Sequence, residues 1–309
     1  MAGVMALLVA AAIGAGSWRL LWARSHSPFD GQRAYGDLER IVALGPRVPG
    51  TPESAHARAY IREQLARAGL EVREQAFEAD TPLGKRTMTN VLAVVKGTRP
   101  GIILLGNHYD TKYFPHFPFV GANDGGSTTA WMIEMARALG PRREGLSVWL
   151  CFFDGEEAFL EWTESDSLYG SRAFVRQLEE RGEIGQVKAM INVDMIGDCH
   201  LGIYRDPEAP HWLADTVWSQ AARLGYQNRF LESGRLVSDD HIPFRRAGVP
   251  ALNLIDFEYG RSPVEHRATG AVDTVPAMRA AASAARKPYC WAISQRLPPV
   301  YPAGATSPS

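Results

Sequence analysis

The chain has 309 residues, 46% hydrophobic and 22% charged, the balance of a folded protein with room for one large α/β domain or two small ones. With 33 Lys and Arg against 34 Asp and Glu, the formal net charge is -1 and no basic block stands out. Neither nucleic acid nor an anionic lipid surface is implied as a partner. Cys151, Cys199 and Cys290 lie far apart without C-x-x-C spacing, which argues against a zinc–thiolate site.

The first apolar stretch, Val4 to Gly16, is followed by Arg19 and Arg24. It is short for a membrane span and suits a signal-peptide core or signal anchor over residues 1–26. Export to a periplasm or the exterior, or anchoring by this segment, is therefore expected. Residues 27–296 are expected to form a single domain. The Pro-, Ser- and Ala-rich tail, 297–309, is expected to be disordered.

Within the domain, Asp30 to Leu44 has helical spacing of apolar residues. The Pro- and Gly-rich passage Gly45 to Pro52 is a loop, and Ser54 opens a second helix that Gly69 stops. Glu71 to Phe77 alternates as a strand. Asn90 to Lys96 and Gly101 to Gly106 are short apolar runs that read as neighbouring buried strands. From there strands and helices alternate: helix Gly125 to Leu139, strand Leu146 to Phe153, helix Tyr169 to Glu180, strand Val187 to Val193. Helix His211 to Leu224, strand Pro250 to Ile255 and a closing helix Val275 to Ile293 complete the series. Uninterrupted apolar strands between helices predict a three-layer α/β/α sandwich around a mixed, mostly parallel sheet. Cys151, inside the Val148 to Phe153 run, reads as a buried small hydrophobe.

Open α/β sheets gather functional groups at the carboxyl ends of their strands. His108 and Asp110 end one strand, and Asp124 sits in a glycine-rich loop before a helix. Asp154, Glu156 and Glu157 end the next strand and Asp194 another. Asp239, Asp240 and His241 precede a short helix, and His266 follows the Pro250 strand. Any one of these acids could be a turn former or helix cap. Their repetition over five strands points instead to one site. Clustered carboxylates raise one another's pKa, and a divalent cation relieves them; mixed His and carboxylate ligation suits zinc. In Glu156-Glu157 one carboxylate can bind metal while its neighbour moves protons.

The segments His108-Tyr109-Asp110, Gly121-Ala122-Asn123-Asp124, Asp154-Gly155-Glu156-Glu157 and Asn192-Val193-Asp194-Met195, with His266 late, resemble the metallo-aminopeptidases that use co-catalytic zinc. The resemblance runs in order and spacing from about Asp30 to Ile293 and implies a zinc-exopeptidase-like fold. Two passages are similar to the glutaminyl cyclase branch: Ala158 to Arg172, with Trp162, and Asp239-Asp240-His241-Ile242-Pro243-Phe244.

That branch implies an acyltransferase acting on peptide or protein N-termini. Asp124, Glu157 and His266 would hold one Zn2+, and Glu156 would carry protons. Asp194 and Asp240 would form an acidic network, Trp162 would line the pocket, and His108 would stand close to the zinc. The chain departs from the cyclase pattern around His266, where Glu265 and Arg267 replace the expected Trp and Thr. Two alternatives stay open. In a zinc aminopeptidase, His108 and Asp194 would complete a second metal site and two ions would bind. In a non-catalytic binding ectodomain of the same fold, the Glu156-Glu157 pair would have no reason to be intact.

Overall fold

The computed structural model describes residues 29–198 and 201–257. The N-terminal apolar segment, Cys199, His200, and the later expectations at Glu265, His266, the Val275 to Ile293 helix, Cys290 and the tail lie outside the described residues. Among those described, no helix is long and apolar enough to cross a membrane.

Helix α1 (Gly31–Ala43) starts where the Asp30 carboxylate accepts the Gln32 and Arg33 amides at 3.0 and 3.1 Å. Helix α2 (Pro52–Arg67) starts two residues earlier than Ser54: Thr51 caps it by accepting the Ser54 amide, and Pro52 takes the first position, where no amide is needed. A long hairpin follows, β1 (Glu71–Thr81) and β2 (Gly84–Val95), in continuous register from Glu71 opposite Val94 to Thr81 opposite Gly84. The remaining elements are β3 (Arg99–His108), α3 (Thr128–Leu139), β4 (Leu146–Phe153), α4 (Tyr169–Glu180) and β5 (Val187–Asp194). The last are β6 (Ile203–Arg205), α5 (His211–Arg223), β7 (Phe230–Gly234), α6 (His241–Arg246) and β8 (Ala251–Ile255).

Six strands form one sheet in the order β1-β2-β4-β3-β5-β8. The four from β4 to β8 are parallel, and β1 and β2 join antiparallel at one side. The sheet is thus mixed, with its parallel part carrying the site. The expectation that the apolar runs of β2 and β3 are neighbours is corrected: β4 lies between them. Two short apolar runs in succession give burial but not pairing order. The eight-residue run of β4 takes the inner place because both its faces find apolar cover.

That cover is visible residue by residue. Val148, Leu150 and Phe152 of β4 pack with Leu38 and Ile41 of α1, Ile61 and Leu65 of α2, and Ile133 of α3. The alternate residues Cys151 and Phe153 pack on the other face with Phe174 and Leu178 of α4 and Phe244 of α6. A period of two along a strand delivers this division, and each fully buried side chain contributes about 1.5–3 kcal/mol. A third cluster joins Leu213 and Trp218 of α5 to Ala189 of β5 and Leu252 of β8. Helices on both faces make the expected α/β/α layering. Cys151 is a buried free thiol, as its apolar setting implied.

Candidate active site at the carboxyl edge of the sheet

Because β3, β4 and β5 run parallel, their ends deliver His108, Asp154 and Asp194 to one edge. Asp124 reaches the same edge by a glycine-shaped turn. Gly121 has φ +50° and Gly125 φ +72°, values that favour glycine. A Cβ on Gly125 would stand 2.6 Å from the Asp110 carbonyl oxygen and 3.0 Å from His108 Cε1, so the turn presses directly on the end of β3. The buried Arg47 locks this turn. Its Nε donates to the Tyr109 carbonyl at 2.8 Å, and its two terminal nitrogens donate to the Val120 and Gly121 carbonyls at 2.6 and 2.9 Å.

At the centre, His108 Nε2 stands 3.0 Å from Asp124 Oδ1 and 3.3 Å from Asp194 Oδ1. It makes no properly directed hydrogen bond to either, although it is buried. One ligand atom each from His108, Asp124 and Asp194 falls within 4.8 Å of the others, so this group can hold a metal ion. A nitrogen and carboxylate oxygens that converge from three separate elements are donors arranged around a shared point, and this mixed N/O set fits a divalent transition metal. Glu157 adjoins the group, its carboxyl sharing a hydrogen bond with that of Asp124.

Asp110 orients the group from behind. It is fully buried, lies 3.3 Å from His108 Nδ1, and accepts the backbone amides of Glu156 and Glu157 at 3.2 and 3.3 Å. One carboxylate therefore sets the imidazole and the paired glutamates together. Lys112 Nζ stands 3.9 Å from Glu157 Oε2 and donates to the Ala158 carbonyl at 2.5 Å. Beside the group, Asp239 accepts the Asp240 amide at 2.6 Å and the Asn253 side-chain amide at 3.0 Å. Among the described residues, neither buried Asp240 carboxyl oxygen has a directed hydrogen bond.

The electrostatics follow from putting many acids in a dry place. Burial pushes the Glu156 carboxyl well above its ordinary range, with Asp239, Glu157 and Asp240 adding to the effect against the pull of His108. Glu157 is raised well above its range by burial, and then by Asp124. Asp239 is raised by burial and by Asp194, and Asp240 is pushed by burial to about 7. For Asp124, burial is outweighed by His108, Glu157 and Arg47, and its pKa is lowered. Burial alone would lower His108. The charges of Asp194 and Glu156, with the Asp110 and Asp124 contacts, instead hold it well above the usual imidazole value.

The fold thus gathers His108, Asp124, Glu156, Glu157, Asp194 and Asp240 at one edge, while His266 lies outside the described residues. Trp162, on the loop after Glu157, is 43% exposed. Sequence reasoning did not single out Arg47, and it counted Asp110 among the strand-end candidates, with a turn former as the alternative, without giving it an orienting role. A signal for Arg47 was its place in Pro46-Arg47-Val48-Pro49, a lone cation in a loop that cannot form regular structure.

The description Peptidase family M28 matches residues 90–287. A glutaminyl-peptide cyclotransferase of Gloydius blomhoffii is 33% identical over 269 residues, covering 73% of this chain and 71% of the relative. One of Bos taurus is 33% identical over 251 residues, covering 68% of each. Among solved structures, an Acidobacteriales bacterium glutaminyl cyclase is similar at TM-score 0.75 and 36% identity, covering 86% of this chain and 93% of that one. A Porphyromonas gingivalis glutaminyl cyclase is similar at TM-score 0.69 and 30% identity, covering 74% and 84%. With the family match spanning more than half the chain and the cyclotransferases aligning along it, the chain belongs to peptidase family M28, in its glutaminyl-peptide cyclotransferase branch.

Proposed function

We propose that this chain is a zinc-dependent glutaminyl-peptide cyclotransferase, converting the N-terminal glutamine of peptides to pyroglutamate with release of ammonia. The observation that carries the reading is the buried Glu156-Glu157 pair set against Asp124, Asp194 and Asp240 at one sheet edge, in a chain whose relatives bear that name. Asp124 and Glu157 would hold the zinc, with His266 as the third ligand. When bound, the ion would act as a Lewis acid on the glutamine side-chain carbonyl.

The chain's own groups do the rest. N-terminal glutamine carries both nucleophile and electrophile, so the site has mainly to hold one folded conformer. The α-amine nitrogen bonds to the side-chain amide carbon, and that carbon's bond to its own nitrogen breaks. Glu156 takes the proton from the attacking amine and delivers it to the departing nitrogen, which leaves as ammonia. Asp194 and Asp240 hydrogen-bond the amine and leaving nitrogen. Trp162, exposed on the loop after Glu157, would cover the substrate. The apolar Val4 to Gly16 segment supports export or N-terminal anchoring, which places such an enzyme among secreted peptides.

The test is incubation of purified protein with Gln-peptides and Leu-peptides. Ammonia release with a blocked N-terminus is expected. A second reading draws on the His108, Asp124 and Asp194 grouping, which a two-metal aminopeptidase would need. Free leucine, with no cyclisation and two metal ions per chain, would replace the first reading by that one.

A further inference from the structure

The passage 158–168, between Glu157 and α4, contains no regular secondary structure. Its backbone polar groups must still find partners. Backbone pairs close its far end against the glutamates: the Leu168 amide donates to the Glu156 carbonyl at 2.9 Å, and the Tyr169 amide to the Gly155 carbonyl at 2.7 Å. Within the loop the donors converge on one buried side chain. Asp166 Oδ1 accepts the Phe159 amide at 2.9 Å and the Tyr169 hydroxyl at 2.8 Å, and Oδ2 accepts the Leu160 and Glu161 amides at 2.9 and 3.1 Å. Three consecutive N–H groups turned onto one carboxylate make a nest for its charge. Burial would raise the Asp166 pKa, but the Leu160 and Phe159 amides, the Tyr169 hydroxyl and the Glu161 amide outweigh it, so the carboxyl titrates below its ordinary value.

The nest brackets Trp162. On one side the Glu161 amide ends on the carboxylate. On the other, the Thr163 hydroxyl oxygen accepts the Asp166 amide at 3.0 Å. Ser167 Oγ donates to the Thr163 carbonyl at 2.7 Å, and Arg172 Nε to the Leu168 carbonyl at 3.2 Å, which fastens the return of the loop as well. The backbone around Trp162 is thus held while its side chain stays exposed. An indole carried on a fixed backbone loses little freedom when it meets a ligand, which is what a preset cover requires. The glutamates have a separate tie, since their amides end on Asp110. Neighbouring stretches of one loop therefore hang on two different carboxylates.

We infer that Asp166 is a positioning residue for the cyclisation, fixing the backbone on both sides of Trp162 so that the indole is preset over the substrate. The inference rests on the cyclase reading, in which Trp162 covers the substrate. Its test is steady-state kinetics on Gln-Ala-Ala-amide. Asp166→Asn keeps the shape but turns an NH2 group onto a backbone N–H. It should raise KM about tenfold while kcat falls by less than about threefold, because Asp110 still holds the glutamates. Thr163→Val, at an exposed residue, releases the other side of Trp162 and should raise KM by a smaller factor. That variant guards against an Asp166 substitution that merely folds poorly. Trp162→Ala should raise KM at least as much as Asp166→Asn, and in that background Asp166→Asn should add less than about twofold. An undiminished effect of Asp166→Asn in the Trp162→Ala background would overturn the inference while leaving the cyclase intact. So would a KM unmoved in both Asp166→Asn and Thr163→Val, or a kcat loss as large as the KM rise. Failure of the parent to cyclise any glutamine substrate would sink the cyclase reading itself.

Discussion

Asp110 illustrates how a residue outside the chemistry can govern it: the backbone amides of Glu156 and Glu157 both end on its carboxylate, and the His108 ring leans on it. The two glutamates are adjacent yet have separate work, and substitution separates them. Glu156→Gln keeps the shape but cannot take a proton, so kcat should fall at least about 100-fold with bound metal unchanged. Loss of metal in that variant, read by elemental analysis, would contradict the division. Asp154 offers a test away from the proposed ligands. Burial, then the nearby Asp110 charge, raises its carboxyl to about 7, against the stabilising Thr89 amide and Tyr109 hydroxyl. A raised acid stabilises the fold while neutral. That contribution is full below the unfolded value near 3.8 and is lost as pH rises through about 7. Asp154→Asn removes the loss, so its stability relative to the parent should climb between pH 4 and pH 8, by at most about 4 kcal/mol, in thermal melts. A difference that stays flat with pH would show that Asp154 remains ionised. At this scale the sequence was readable where side chains act at strand ends, as at Asp124 and Glu157. It was silent where one side chain holds backbone that is distant in sequence, as Asp110 and Arg47 do.

At the scale of elements, the wide helical turn Ala122–Ser127 carries Asp124, closed by the Gly126 amide on the Gly121 carbonyl and braced from behind by one guanidinium. Arg47→Met would remove the guanidinium from the carbonyls of Tyr109, Val120 and Gly121, of which Gly121 keeps the Gly126 amide. We expect a loss of about 3 kcal/mol or more in denaturant unfolding, together with weaker metal retention as Asp124 loses its position. The first helix was legible because its cap is local, with Asp30 at the end of the apolar periodicity, whereas the Thr51 cap and Pro52 were read as loop. Strand neighbours were not legible, because the runs at β2, β3 and β4 are equally apolar and nothing local says that β4 goes between. The short pair β6 and β7 carried no periodic signal at all; Ile203–Arg205 has only three residues.

For the whole molecule, the site is a store of like charge enclosed by helices on both faces of the sheet. Glu156, Glu157, Asp194, Asp239 and Asp240 are all buried, and a bound cation would compensate those that ionise. Removal of metal by a chelator should therefore lower Tm by roughly 10 °C, and zinc should restore it. An unchanged Tm would mean that no resident ion supports the fold. The sheet order has another consequence, for the nascent chain. The β1–β2 hairpin leaves the ribosome complete, but the β2 edge from Val91 to Val95 pairs only with β4, whose last residue is Phe153. At ordinary translation speeds that apolar edge waits roughly 3–12 s for its partner. Through that interval it is an open template for any passing strand, so a chaperone that shields extended apolar segments has its natural target there, at a junction buried inside the finished sheet.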